Sequence, residues 1–254
     1  MKKSTLVFLF LLTATLCVGQ SARPGKPVEA PADILKNMDS FSYYVGDYVN
    51  FYEDYITYDD ASNIISKERS YQLMLTEKYI PLRLISTDGN IYYQLYKLTP
   101  AQQKNYNVAG WVAEAYDSFK REGKKLPDYN FTDLKGNVYN PATTKGKIMV
   151  LKTWFVACST CETQRPAFNH LVKRYKNRKD ILFVSLVNDS AAKVIPFLKM
   201  KKMDYMVVPG EEEYNSKKLK ISGYPTYYII NRDGVIARVV NNPENVDYVL
   251  KKLN

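Results

Sequence analysis

Residues 154–166 read WFVACSTCETQRP. Two cysteines, Cys158 and Cys161, stand two residues apart at the end of an apolar and aromatic run. That spacing suits a redox dithiol, half of a zinc site or a haem attachment point. Haem attachment needs a histidine directly after the second cysteine, and Glu162 stands there. A structural zinc site needs four ligands, usually completed by a second Cys or His pair. The chain holds three cysteines and one histidine. Cys17 lies in an N-terminal apolar run and His170 is alone, so no metal is expected. His170 is also a poor base for either thiol, because nine residues of helix place it about 13 Å along the axis from Cys161. The redox dithiol remains.

The flanks support it. KIMVLKTWFV (147–156) is near-continuously apolar and β-rich, the pattern of a strand buried on both faces. After Cys158 the pattern turns helical, with Phe168, Leu171, Val172 and Tyr175 at three- and four-residue steps. Cys158 therefore falls at a helix N-terminus, where free N–H groups and the helix dipole stabilise a thiolate. Cys161, one turn in, lies on the same face and is more shielded. Cys158 is read as the nucleophile and Cys161 as the resolving cysteine. Downstream, ILFVSLV (181–187) reads as a second buried strand and SAAKVIPFLKMKK (190–202) as a helix. TYYIIN (226–231) and VIARVV (235–240) flank Arg232-Asp233-Gly234, a hairpin signal. PENVDYVLKKL (243–253) opens with proline and continues as a helix.

This β-α-β-α-β-β-α order, with CSTC at the first strand–helix junction and Gly223-Tyr224-Pro225-Thr226 before the hairpin, resembles the thioredoxin fold. More narrowly it resembles the TlpA-like thiol–disulfide oxidoreductases of bacterial envelopes. The resemblance covers about residues 124–254, with LPDYNFTDLKGNVYN (126–140) resembling that group's extra N-terminal hairpin. It implies an α/β architecture, a central mixed sheet flanked by helices. It implies a cis Pro225 facing the dithiol, with Tyr224 and Thr226 placed to meet an incoming extended polypeptide. Trp154 matches an aromatic position of the family and is carried as a substrate-contact candidate, though packing explains it as well. No cofactor is implied beyond the Cys158–Cys161 disulfide itself.

Three positions depart from the family pattern. Ala157 stands where Trp is frequent, and the dipeptide Ser159-Thr160 lacks the usual second-position proline. The acid that often takes the resolving thiol's proton is also missing. Lys152 occupies one of its two usual places and Gln164 the other. Lys152 is therefore a candidate for a charge or proton-transfer role, weighed against a lysine that merely snorkels from a strand. Glu162, in the first helical turn, is expected to face solvent.

The N-terminus opens MKKSTLVFLFLLTATLCVGQSA, with lysines before an apolar run from Leu6 to Val18. That run is a signal-peptide pattern and falls short of the roughly 20 residues that span a bilayer. Residues 1–21 are read as a signal, 22–32 as a flexible leader, 33–122 as a helical and hairpin region, and 124–254 as the thioredoxin-like domain. In the third segment, apolar residues from Ile34 to Tyr55 recur at helical steps. YIPLRLI and NIYYQLYKL flank a turn signal at Ser86–Gly89, and 100–122 reads as a helix. YYQLYKL is similar to a stretch of tyrosine-rich redoxin-domain proteins of Bacteroidota envelopes, and this region reads as a smaller α+β layer packed on the catalytic domain.

Net charge is +10, with Lys and Arg interleaved among Asp and Glu. This reads as a solvated surface, not a nucleic-acid patch. The resemblance implies an exported, periplasmic or envelope enzyme acting on protein disulfides, a reductase before an oxidase, fed by a membrane-linked thiol donor. A membrane contact is expected only if the N-terminal segment stays uncleaved. The competing reading is a binding module with a static CSTC disulfide. Peroxide reduction is disfavoured, because Phe155 stands where that chemistry wants Thr or Ser.

Overall fold

The computed structural model describes residues 24–106 and 109–253. The expected signal segment 1–21 lies outside them. The chain first forms α1 (Pro31–Ile34), α2 (Met38–Tyr48), β1 (Tyr55–Tyr58), β2 (Ile64–Ile65), α3 (Lys67–Met74), β3 (Tyr79–Arg83), β4 (Ile91–Lys97), α4 (Pro100–Gln103) and α5 (Ala109–Phe119). These strands make one sheet in the order β2-β1-β4-β3. β3 and β4 pair antiparallel, from Tyr79 opposite Lys97 to Arg83 opposite Tyr93. Helices cover the sheet through a core that includes Ile34, Phe41, Tyr44, Tyr71, Tyr93 and Val112. Tyrosine can fill such a core because its hydroxyl finds a partner at the core's edge. The Tyr44 hydroxyl donates to the Pro81 carbonyl at 3.1 Å, and that of Tyr71 to the Phe51 carbonyl at 3.3 Å.

Three expectations for this half are corrected. The stripe from Ile34 to Tyr55 is not one helix. Asn37 caps a fresh start by accepting from the Ser40 N–H at 2.8 Å, and Asn50 accepts from the Tyr52 N–H at 3.0 Å beyond the helix end. Tyr55 then enters β1, which runs parallel to β4. The stretch expected to be a flexible leader is tied to the β3 edge, for Gly25 N–H donates to the Ile85 carbonyl at 2.7 Å and Val28 N–H to that of Arg83 at 2.9 Å. A sheet edge with unpaired backbone groups recruits such a segment. Finally, 100–122 forms two helices, and Thr99 caps the first with a reciprocal Gln102 contact.

The second half begins with the short hairpin β5 (Phe131–Thr132) and β6 (Val138–Tyr139). There follow β7 (Ile148–Trp154), α6 (Ser159–Arg174), β8 (Ile181–Val187), α7 (Ala191–Met200), β9 (Met206–Pro209), β10 (Thr226–Ile230), β11 (Ile236–Val240) and α8 (Pro243–Lys252). The sheet order is β11-β10-β7-β8-β9. β7, β8 and β9 run parallel, β10 pairs antiparallel with β7, and β11 antiparallel with β10. The fold is thioredoxin-like, a central mixed sheet with helices packed on it. Every residue of β7 is buried, as befits the middle strand with neighbours on both sides and layers on both faces. Strand β9 and a π-helical turn at Tyr214–Lys218 add to the sequence reading.

The two halves meet along α8 and β11. Asn50 Nδ2 donates to Asn245 Oδ1 at 3.0 Å, and Asp54 pairs with Arg238 at 2.7 Å and Lys252 at 2.6 Å.

Candidate active site

Cys158 is the N-cap of α6, with extended backbone (φ −79°, ψ 102°). Its Sγ accepts from the Cys161 N–H at 3.1 Å. The two sulfurs are joined as a disulfide, S–S 2.05 Å. A helix start leaves N–H groups without intrahelical partners, and here one of them points at the first sulfur. Both cysteines are nearly buried, at 5% and 3% exposed, against Trp154, Val187, Val194 and Phe197. The helix continues through Pro166.

The segment before β10 reaches the dithiol through strand register. Thr226 lies opposite Thr153, one residue before the end of β7. Their contact is closed by the Thr226 N–H donating to Thr153 Oγ1 at 3.3 Å and Thr153 Oγ1 donating to the Thr226 carbonyl at 3.2 Å. The Tyr224–Pro225 peptide bond is cis. Tyr224 packs against the cluster that holds both cysteines and meets the Phe155 ring edge-on at 5.4 Å. The structure thus brings Tyr224 against the two cysteines, with Pro225 and Thr226 following it in the chain toward the end of β7. Trp154 does not join them as a contact surface. It is 1% exposed and packs on Phe197 at 5.6 Å, so it is a core residue and the substrate-contact expectation is withdrawn.

Lys152 sits in mid-sheet, opposite Ser185 of β8 and Tyr227 of β10. Its Nζ reaches the face under α6, 5.3–5.9 Å from the ring centres of Phe168, Tyr205 and Tyr227. Among the described residues it hydrogen-bonds Tyr205 Oη at 3.3 Å. Burial lowers its pKa to about 8, against an upward pull from the Glu162 charge and with a smaller push from Arg165. Snorkelling is ruled out at 1% exposure. Gln164 is committed elsewhere. Its amide donates to the Asn241 carbonyl at 3.1 Å and its oxygen accepts from the Tyr227 hydroxyl at 2.9 Å. Glu162, expected to face solvent, is half-buried and paired with Arg165 at 3.2 Å and Lys201 at 3.7 Å.

Sequence reasoning missed a polar brace beside Tyr224. Asn188, directly after β8, donates from Nδ2 to Tyr224 Oη at 2.9 Å and accepts on Oδ1 from the buried Asn215 at 2.8 Å. Its neighbour Asp189 accepts from the Val156 N–H at 2.6 Å and pairs with Lys193. Burial alone would raise the Asp189 pKa, but these partners lower it. Polar residues at the carboxyl end of a parallel strand beside β7 were the available signal, since α/β sheets gather ligands there. Among the described residues, no three His, Cys, Asp or Glu side chains gather as a metal site, and no helix is long and apolar enough to cross a membrane. His170 is exposed on α6.

With this geometry in view, the comparisons are specific. The Redoxin family profile matches residues 121–253. Thioredoxin-like protein YneN of Bacillus subtilis is 26% identical over 121 residues, covering 47% of this chain and 71% of that one. Thiol-disulfide oxidoreductase ResA of Bacillus thuringiensis is 25% identical over 134 residues, 52% of this chain and 78% of that one. Among solved structures, the thioredoxin domain of a thiol-disulfide oxidoreductase from Bacteroides vulgatus aligns with a TM-score of 0.47 at 21% identity, covering 52% of this chain and 98% of that one.

Proposed function

The chain belongs to the Redoxin family and is a thiol-disulfide oxidoreductase, and from that premise we propose that it reduces disulfides of exported proteins through Cys158 and Cys161. The observation that carries the reading is the helix-capping sulfur of Cys158, met by the Cys161 N–H and packed beside Tyr224. In the reduced protein the same N–H and the helix dipole favour a Cys158 thiolate. That thiolate attacks one sulfur of a substrate disulfide. A mixed disulfide forms and one substrate thiolate leaves. Cys161 then loses its proton and attacks Cys158 Sγ, closing the internal disulfide and releasing the second substrate thiolate. Two electrons have passed to the substrate, and a donor dithiol, membrane-linked in this reading, restores the pair.

The Tyr224–Pro225 segment, held by Thr226 and Asn188, receives the extended substrate beside Cys158. Lys152 supplies positive charge under α6 below about pH 8, which favours the Cys161 thiolate. Residues 1–21 serve as the export signal, residues 33–122 form a layer on the catalytic domain at 124–254, and the working compartment is the envelope.

Replacement of Cys161 by Ala in the native host tests this. Envelope proteins trapped as mixed disulfides on Cys158 are the expected result. A well-expressed variant that carries no adducts would sink the reading. The burial of both sulfurs favours one rival, a static disulfide in a binding module. Resistance of the pair to dithiothreitol in the folded protein would select it.

A further inference from the structure

Between the two halves lies a cleft of about 670 Å³. One wall comes from the end of α2 and the β3 edge, and includes Asn50 and Arg83. The other comes from the β11–α8 connection, with Asn241, Asn242 and Asn245. The volume is that of a ligand site, and the lining is polar where two packed layers would ordinarily close on apolar contacts.

Two side chains in this lining keep donors to spare, although Arg83 also bears on the Tyr93 hydroxyl. Arg83 is half-buried against the Tyr93 ring, 6.0 Å from its centre, and no carboxylate pairs with it among the described residues. Arg165, Arg174, Arg178, Arg232 and Arg238 each pair with one. Asn245 is 2% exposed, and its Oδ1 and N–H are used by Asn50 and Asn242, but no acceptor meets its Nδ2. That amide group is available to donate to a ligand carbonyl in the cleft. The single carboxylate of the lining, Asp47, bears on the Tyr43 hydroxyl and raises its pKa.

The cleft also joins the dithiol helix. The Asn241 carbonyl in its wall accepts from Gln164, which lies on α6 six residues beyond Cys158. Six helical residues are about 9 Å. An extended polypeptide covers that in about three residues.

We propose that this cleft binds the stretch of a substrate polypeptide flanking its disulfide, with Arg83 holding an acidic side chain three or more residues from the reacting cysteine and Asn245 holding a main-chain carbonyl. The inference rests on the disulfide-reductase reading for its occupant. It gives residues 33–122 a task, the selection of substrate by charge.

Binding and chemistry can be read apart. A chain carrying Cys158→Ser and Cys161→Ser is titrated into a rhodamine-labelled extended peptide rich in glutamate, and into its glutamine counterpart, following anisotropy. The glutamate peptide should bind more tightly. Arg83→Gln should weaken it about tenfold and erase the preference, as expected for loss of one charge-assisted contact, while Arg83→Lys should restore part of it. Equal affinity for the two peptides, no binding of either, or no effect of Arg83→Gln in a variant with an unchanged melting temperature would overturn the proposal. So would free glutamate that competes as well as the peptide, which would mark a small-molecule site. Reduction of bis(2-hydroxyethyl) disulfide by the native chain reads the dithiol alone. Its failure beside intact peptide binding would remove the reductase reading and leave the cleft standing.

Discussion

Each half of the molecule draws a lysine away from solvent, Lys67 half-buried and Lys152 fully buried, and the two sit in different company. Lys67, in the N-terminal layer, donates to the carbonyls of Phe51 at 2.8 Å and Glu53 at 3.1 Å, and lies 4.6 Å from the Tyr55 ring centre. Burial lowers its pKa and Arg238 adds to that, while Glu122 and Asp54 pull it back up. Lys152, in the catalytic sheet, has three aromatic faces and one neutral hydroxyl. Lys67 clamps a chain turn and sits in a charge cluster at the seam between the halves. Lys152 clamps nothing of the backbone. A buried ammonium with so little compensation is a poor device for stability, which is consistent with the charge role proposed for Lys152.

The sharpest way to break this contrast is to neutralise both lysines. Lys67→Met leaves the Glu53 carbonyl without its donor, the Phe51 carbonyl with Tyr71 alone, and Glu122 with less neutralisation. It should destabilise by roughly 2–4 kcal/mol, read as a lowered urea midpoint, and leave exchange on a small disulfide unchanged. Lys152→Met should instead stabilise by roughly 1–3 kcal/mol at neutral pH, and should flatten the pH dependence of exchange around pH 8. Two midpoints moving in the same direction would remove the distinction.

Next in size is the pH dependence of stability itself. Lys152 titrates at about 8 in the folded chain against 10.5 unfolded. Between those values the unfolded state binds more protons, so stability should rise with pH there, by up to roughly 3 kcal/mol. Buried tyrosines act oppositely. Tyr71 and Tyr227 have pKa values raised by burial, and that of Tyr228 is pushed up to about 12. Above pH 10 unfolded phenols shed protons that these hold, and stability should fall. Urea midpoints across pH 7–11 should therefore peak near the crossover, and in Lys152→Met the rising limb should shrink. A rising limb unchanged in that variant would assign it to other groups.

The smallest effect lies at the seam. Asp54 has its pKa lowered to about 2. Burial works against this, and the Lys252 and Arg238 hydrogen bonds outweigh it. Lys252 is half-exposed, so Lys252→Ala should cost only about 0.5 kcal/mol, and the loss should fade in high salt. A cost several times larger would mean that the seam is held chiefly by charge.

Much of the catalytic half is legible locally. Ile148–Trp154 reads as a doubly buried strand because its apolar residues are contiguous, and the helix after Cys158 shows in the spacing of Phe168 and Leu171. The β10–β11 hairpin is announced by Asp233-Gly234. Elsewhere local pattern was a poor guide. β9 is four residues, Met206–Pro209, too short to show a period. The Ile34–Tyr55 stripe has helical steps throughout, yet Asn37 and Asn50 divide it through single hydrogen bonds to nearby N–H groups. Apolarity marked Trp154 without saying that it would be 1% exposed.

The sequence by itself determined that this chain carries a dithiol at a strand–helix junction and that the metal and haem alternatives lack ligands. These follow from residue identity and short-range periodicity, which need no knowledge of neighbours. Only the tertiary structure decided that Lys152 is sealed beneath α6 with Tyr205, that Asn188 and Asn215 brace Tyr224, and that Arg83 and Asn245 face one cleft. Arg83 and Asn245 stand 162 positions apart in the chain. What brings them together is the docking of the N-terminal layer on α8 and β11, a collective packing outcome that no local window of sequence contains.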